Sequence, residues 1–333
     1  MNARVVIGVV LTVLVLALGG CVVRQVYSPP VAATPPPSPP PPPSPPPAPT
    51  ATANAKEISR VTNDPAPEFY PRVSPDGTQL LFYVMDSTKQ GVDAFSIAAI
   101  NLGQAGRKLV AGPGAWVASW YPDSKHFVYA YLQTPKPTLV RSPYGGVGMT
   151  FISPSAMAEF DDQPAVSPDG KKIAFHTLIG KVVQVCTVNS DGSSFTVYVE
   201  GSSPRWHPEG TVLAFDRHVG EHSQVFTIDL ASGQVTQLTS GSSDSTFPVW
   251  SPDGRWLTFA SNRERQNHIY AMKPDGSSVT QFTRGDSQEN MPEWGADGWI
   301  YFVSDAGAPT ACGPDVFRWP YADIWRLKPV LPE

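Results

Sequence analysis

The sequence predicts an all-β fold, a six-bladed β-propeller of four-stranded antiparallel blades. Two observations predict it. A tight turn of one chemistry recurs six times at near-constant spacing, and each copy leads directly into a short apolar run. The clearest copy runs from Phe247 to Thr283. It opens Phe247-Pro248-Val249-Trp250, turns at Ser251-Pro252-Asp253-Gly254, and continues as Arg255 to Ala260, whose alternation reads as a half-buried strand. After the polar stretch Ser261 to Asn267 come His268 to Lys273, a second tight turn at Pro274-Asp275-Gly276-Ser277, and a last strand, Val279 to Thr283.

Proline presets the second position of such a turn and glycine supplies positive φ at the fourth, which suits a type I turn with a bulge. Further copies stand at Ser74-Pro75-Asp76-Gly77, Tyr121-Pro122-Asp123-Ser124, Ser167-Pro168-Asp169-Gly170, His207-Pro208-Glu209-Gly210 and Gly295-Ala296-Asp297-Gly298. Successive acidic residues are 47, 46, 40, 44 and 44 positions apart. Four strands in that period belong to propeller blades, each of which needs neighbours to cover its faces. The last copy supplies strands at Met291–Trp294, Trp299–Ser304 and Asp323–Lys328, one short of four. The segment Glu57 to Thr62 is expected to complete that blade and close the ring, leaving no open sheet edge.

Ahead of the repeats the chain divides into two further segments. Residues 1–20 read as an export signal, with Arg4 in a short positive region, an apolar run from Val5 to Leu18, and Leu18-Gly19-Gly20-Cys21 after it. The small residues before Cys21 resemble a bacterial lipobox, which makes Cys21 the expected lipidation site. The alternative is an uncleaved anchor, since Val5 to Val23 is about as long as a spanning helix. Either places the remainder outside the cytoplasm. Val22 is not the Asp that holds enteric lipoproteins in the inner membrane, which favours the periplasmic face of the outer membrane. Residues 21–56 are a proline-rich linker: of the 21 residues from Pro29 to Pro49, 14 are proline. A polyproline helix of that length is a semi-rigid spacer of roughly 65 Å. The expected propeller occupies 57–333.

These repeats resemble the WD40-like repeats of the TolB family, six-bladed propellers of the bacterial envelope, from about Glu57 onward. The resemblance implies a binding scaffold for a protein partner of the cell envelope, which in that family is the peptidoglycan-associated lipoprotein and here is either a protein of that type or a different one. Two departures limit it. A proline-rich stretch stands where that family carries an N-terminal α/β domain, and the family's own members are not lipidated.

Composition excludes some classes. With 24 Lys plus Arg against 29 Asp plus Glu and no long like-charge run, the chain carries no footprint for nucleic acid. Cys186 lies in an apolar strand and Cys312 in a loop on the opposite side of the ring, so a bridge between them is not expected. His218-Val219-Gly220-Glu221-His222 spells a zinc-peptidase motif, but that motif needs a helix and this one falls on a hairpin. No nucleophile elbow Gly-x-Ser-x-Gly is present. The glycines Gly145, Gly146 and Gly148 fit the last hairpin turn of the second blade. The repeat tryptophans Trp120, Trp206, Trp250 and Trp294 recur in phase, which reads as packing between blades.

What remains is a binding role without chemistry or cofactor, carried by long loops. The candidate partner-binding residues are Phe317, Arg318, Trp319 and Tyr321 in the loop Asp305 to Ala322, and Phe160, Asp161 and Asp162 between the second and third blades. The alternatives are a carbohydrate-active propeller similar to oligogalacturonate lyases, with His218, His222 and His268 as candidate metal ligands, and a small-ligand sensor.

Overall fold

The computed structural model describes residues 48–104, 106–152, 159–306 and 322–332. Cys21, Cys312, Phe317, Arg318, Trp319 and Tyr321 lie outside them. Six four-stranded antiparallel sheets are arranged as blades around an axis. Blades 1 to 5 span 68–111, 115–152, 162–200, 202–237 and 245–281 in chain order. Blade 6 joins Glu289–Trp294, Ile300–Ser304 and Asp323–Pro329 to a strand from the other end of the fold, Ala55–Arg60. In every blade the first strand is innermost, and successive first strands touch one another round the axis.

The closing strand is the one expected, shifted slightly toward the N-terminus. Ile58 stands opposite Leu327 and Ser59 opposite Arg326, while Val61 donates its N–H to Ile324 O at 2.8 Å. Arg60 pairs with Asp323 beneath. Pairing reaches back past the expected boundary at Glu57. Thr50–Ala51 pairs with Thr283–Arg284 beyond the outer strand of blade 5, and Asn54 donates from Nδ2 to Gln281 O at 3.1 Å. One segment therefore spans the joint between blades 5 and 6.

Sequence alternation suggested half-buried strands, but the second strands are buried on both faces. Leu80 to Val84 are all at most 4% exposed, as are Leu257 to Ala260. The cause is architectural. A blade is covered by a neighbour on each side, so its inner strands tolerate apolar residues at consecutive positions. Phe82, Phe175, Phe215, Phe259 and Phe302 stand at the same step of five second strands, each at most 1% exposed, and Tyr129 holds that step in blade 2 at 2%. Burying each contributes about 1.5–3 kcal/mol.

The repeated turns have the predicted chemistry. In blade 5 the Ser251 hydroxyl donates to Asp253 Oδ1 at 2.6 Å and accepts the Trp256 N–H at 3.0 Å. Gly254 closes the turn at φ +69°. Ser124, which replaces that glycine in blade 2, keeps the conformation at φ +52°. Its hydroxyl accepts the Asp76 N–H at 3.1 Å, tying its turn to that of blade 1. Blades 3 and 4 are joined through Gly201 alone, at φ +154°, where an added Cβ would lie 2.5 Å from the Phe215 ring.

Two outcomes follow for stability. Deleting residues 48–60 strips the last blade of its outer strand, and the variant is expected to lose cooperative thermal unfolding and to self-associate in light scattering. Gly201→Ala combines a disfavoured φ with overpacking and is expected to lower stability by about 1–3 kcal/mol in urea unfolding.

Candidate functional site

The axis is shaped by a dipeptide that recurs with the turns. Proline stands five positions before the turn's acidic residue in five of the six copies, as Pro71, Pro164, Pro204, Pro248 and Pro292. The residue before each has positive φ: Tyr70 at 52°, Gln163 at 49°, Ser203 at 55°, Phe247 at 54° and Met291 at 53°. The ladder to the second strand shifts register at the same step, from Phe69 to Arg72 in blade 1 and from Thr246 to Val249 in blade 5. Proline lacks an N–H for that ladder, which suits it to a bulged step. Blade 2 has Val117-Ala118 instead: its ladder shifts at the same step, from Ala115 to Ala118, but neither residue takes positive φ.

The bulges bring side chains together across the axis. Tyr70 of blade 1 meets Phe247 of blade 5 edge to face at 6.0 Å between ring centres. Gln163 of blade 3 approaches the Tyr70 hydroxyl at 3.4 Å. These blades are not neighbours in the ring, so the contacts plug its centre. On the side of the repeated turns the plug floors a funnel of about 370 Å³. Arg72, Ser119, Ala165, Arg205, Val249 and Glu293, one from each blade, line its lower wall, and the four repeat tryptophans line its upper wall.

The tryptophans do what their phase predicted, and also face the funnel. Trp120 donates from Nε1 to Arg72 O at 3.0 Å and Trp206 from Nε1 to Ala165 O at 2.8 Å, each bond crossing to the preceding blade. Their edges and those of Trp250 and Trp294 stay 6–9% exposed toward the opening.

Ionisable groups are concentrated on and near the axis. Burial pushes the Glu293 carboxyl up to about 7, with Arg72 opposing at 3.5 Å. Asp162 is raised to about 7 by burial, although its Oδ1 accepts the Gln163 N–H at 2.6 Å. Asp216 is raised by the same cause and is bonded to Ser202 and to the Phe247 N–H. His176, 4.0 Å from Asp162, is lowered to about 4 by burial and accepts the Ser203 N–H on Nδ1, so it is neutral. Neither the arginines nor the x-Pro dipeptide was singled out from sequence, although the fixed interval from proline to the turn was readable there.

The residues proposed from sequence fall in different places. Phe160 is half-buried, while Asp161 and Asp162 are 3% and 8% exposed, which leaves Phe160 as the one of the three with surface to offer. Asp161 is held up to about 7 by burial, with Thr177 opposing. His218 and His222 flank the two-residue turn Gly220-Glu221, across which Val219 pairs with His222. His222 stands 3.7 Å from Asp244. His268 is buried and bonds Glu289 at 2.7 Å. The three imidazoles are not brought together, and among the described residues no three His, Cys, Asp or Glu side chains converge on a metal position. Cys186 is fully buried, its thiol pushed up to about 12 by burial. Gly145, Gly146 and Gly148 fall in the connection between the third and fourth strands of blade 2.

Comparison with known proteins agrees with this architecture. The TolB beta propeller domain family (PD40) matches residues 194–310. TolB from Acinetobacter baumannii is similar in structure, with TM-score 0.60 and 17% identity, over 69% of this chain and 57% of that one. This chain therefore spans little more than half of that TolB. A putative TolB from Agrobacterium tumefaciens gives TM-score 0.61 and 16% identity, over 82% of this chain and 97% of that one. An oligogalacturonate lyase in complex with manganese gives TM-score 0.53 and 13% identity, over 85% and 96%. At these identities the likeness is one of fold. No curated protein matches by sequence.

The buried carboxyls set a pH dependence. A carboxyl raised by folding holds its proton in the folded state between about pH 4 and 7, where the unfolded chain has released it. Its contribution is thus complete below the unfolded value and is lost as pH rises toward 7. Asp161→Asn removes one such group. The variant's unfolding midpoint is expected to exceed the parent's by more at pH 8 than at pH 5, by about 2–4 °C for each kcal/mol relieved between the two. The same difference at both pH values would show that Asp161 carries no buried charge.

Proposed function

Because the chain is a TolB-like six-bladed β-propeller, we propose that it works as a non-catalytic binding scaffold of the cell envelope. It is exported and anchored through lipid on Cys21, the proline-rich stretch holds the ring off the membrane, and a protein partner docks on the face opposite the repeated turns. The observation that carries this reading is the placing of two long connections between strands. Residues 153–161 run from the outer strand of blade 2 to the inner strand of blade 3, and residues 305–322 join the second and third strands of blade 6. By strand direction both open on that one face.

Their stems are anchored in the core. Ala306 and Ala322 are 4% and 1% exposed, and Ala322 O accepts the Glu68 N–H at 2.9 Å. At the other connection Glu159 donates its N–H to Leu178 O at 3.0 Å. A rigid scaffold presenting long loops that hold Phe160, Phe317, Arg318, Trp319 and Tyr321 has the composition of a protein-binding surface, where aromatic and Arg residues contribute most of the affinity. The first partner to test is an envelope protein of the peptidoglycan-associated lipoprotein type.

The test is affinity capture from crosslinked envelopes, with the intact protein beside a variant carrying Arg318→Ala, Trp319→Ala and Tyr321→Ala. An envelope protein captured by the first and reduced at least tenfold with the second is the expected result. Equal capture by both would remove the 305–322 loop from the interface, and no specific protein with either would overturn the scaffold reading.

A further inference from the structure

The lower wall of the axial funnel carries two arginines held in the same way on opposite sides of the ring. Arg72 of blade 1 donates from Nη1 to Pro71 O at 2.7 Å, and Arg205 of blade 4 donates from Nη1 to Pro204 O at 2.9 Å. Both follow the proline of the bulge. The carbonyl that fixes each guanidinium is therefore supplied by the motif that shapes the axis. Blades 1 and 4 lie three steps apart in a ring of six, so the two residues stand on opposite sides of the opening.

This tether leaves hydrogen-bonding capacity unused. Arg72 has no partner for Nε or Nη2, and Arg205 has none for Nε. Nε and Nη2 form the edge of a guanidinium that grips a carboxylate through two parallel bonds. Arg72 is only 4% exposed, so its free edge is also largely withheld from water. Such donors are ordinarily satisfied in a folded protein. Glu293 approaches Nη1 at 3.5 Å and does not bond that edge. Asp162 and Asp216, the other carboxylates near the axis, accept backbone N–H groups of Gln163 and Phe247 on the plug side.

We propose that the funnel is a binding site for a ligand carboxylate. Arg72 and Arg205 face it with positive charge from opposite sides of the ring, the unbonded Nε and Nη2 of Arg72 becoming available to it on a turn of the guanidinium, and the body of the ligand packs against the indole edges of Trp206 and Trp250. A volume of about 370 Å³ lies at the small end of the range for ligand sites, which suits a small organic acid or the terminal residue of a polypeptide. A carboxylate fits better than a phosphate, whose second charge would stand against Glu293. This site goes beyond the scaffold reading, since the funnel opens on the face of the repeated turns and not on the loop face.

The test is calorimetric titration of the full chain in detergent, with tryptophan fluorescence as a second readout. The ligands are N-acetyl-leucine, N-acetyl-leucinamide, hexanoate and inorganic phosphate. Saturable binding of N-acetyl-leucine, hexanoate or both is expected, with the amide at least tenfold weaker. N-acetyl-leucine alone identifies a polypeptide terminus as the source, and hexanoate alone or both a small acid. Arg205→Gln is expected to weaken carboxylate binding at least fivefold while keeping the parent's circular dichroism. Glu293→Gln is expected to tighten it, by removing the neighbouring negative charge. The proposal is overturned if neither carboxylate saturates by ~10 mM, well beyond the affinity range of most specific small-ligand sites. It is also overturned if the amide or phosphate binds as well as the carboxylates, or if Arg205→Gln leaves affinity unchanged.

Discussion

Each blade of this ring is a sheet apolar on both faces, and no blade covers itself. Leu80 to Val84 and Leu257 to Ala260 are out of water only because another blade lies on either side. That constraint makes the pairing of Ala55–Arg60 with Asp323–Pro329 more than a local contact. It joins the two ends of the repeat array, so that every blade has two neighbours and the last has its full four strands, with Ala55–Arg60 as the outer edge. The added pairing of Thr50–Ala51 with Thr283–Arg284 fixes the same segment to blade 5. Closure is thereby spread over two blades.

The same repeat that builds the ring also furnishes its centre. A proline at a fixed interval before the turn interrupts the inner ladder, and the preceding residue turns to positive φ. In a single sheet such a bulge would be a minor irregularity. Repeated in five blades around an axis, it gathers Tyr70, Gln163 and Phe247 into a plug, with Met291 and Ser203 at the equivalent positions. It also leaves the next residue of each blade, Arg72, Arg205 and Glu293 among them, lining the funnel beyond. The ionisable groups that result are held away from water, which is why burial dominates the shifts of Asp162, Asp216 and Glu293.

The two faces of the ring are consequently different in kind. One carries short turns of nearly uniform chemistry around a funnel walled by indoles and arginines. The other carries connections of unequal length, whose sequences do not repeat. Uniform turns suit a small site on the axis, because the groups that converge there come from equivalent positions. Unequal loops suit a surface for a macromolecule, because only there has the chain departed from its period.

The sequence by itself determined the architecture. Six turns at intervals of 40 to 47 residues, each followed by an apolar run, admit only a ring of blades, and the shortage of one strand in the last copy pointed to the segment near Glu57 that completes it. The hairpin at Gly220-Glu221 and the inter-blade role of Trp120 and Trp206 were legible for the same reason: turn chemistry and phase are local properties. What only the tertiary structure decided is which residues meet. Tyr70 and Phe247 are 177 positions apart in the sequence and touch because curvature brings alternate blades to the axis. Asp161 and Asp162 were candidate partner-binding residues of a connecting loop, yet the strand entry and its neighbours bury them. His268 was a candidate metal ligand with His218 and His222, but its side chain turns into the joint between blades to meet Glu289. Direction and burial are set by the packing of blade on blade, which no interval along the chain records.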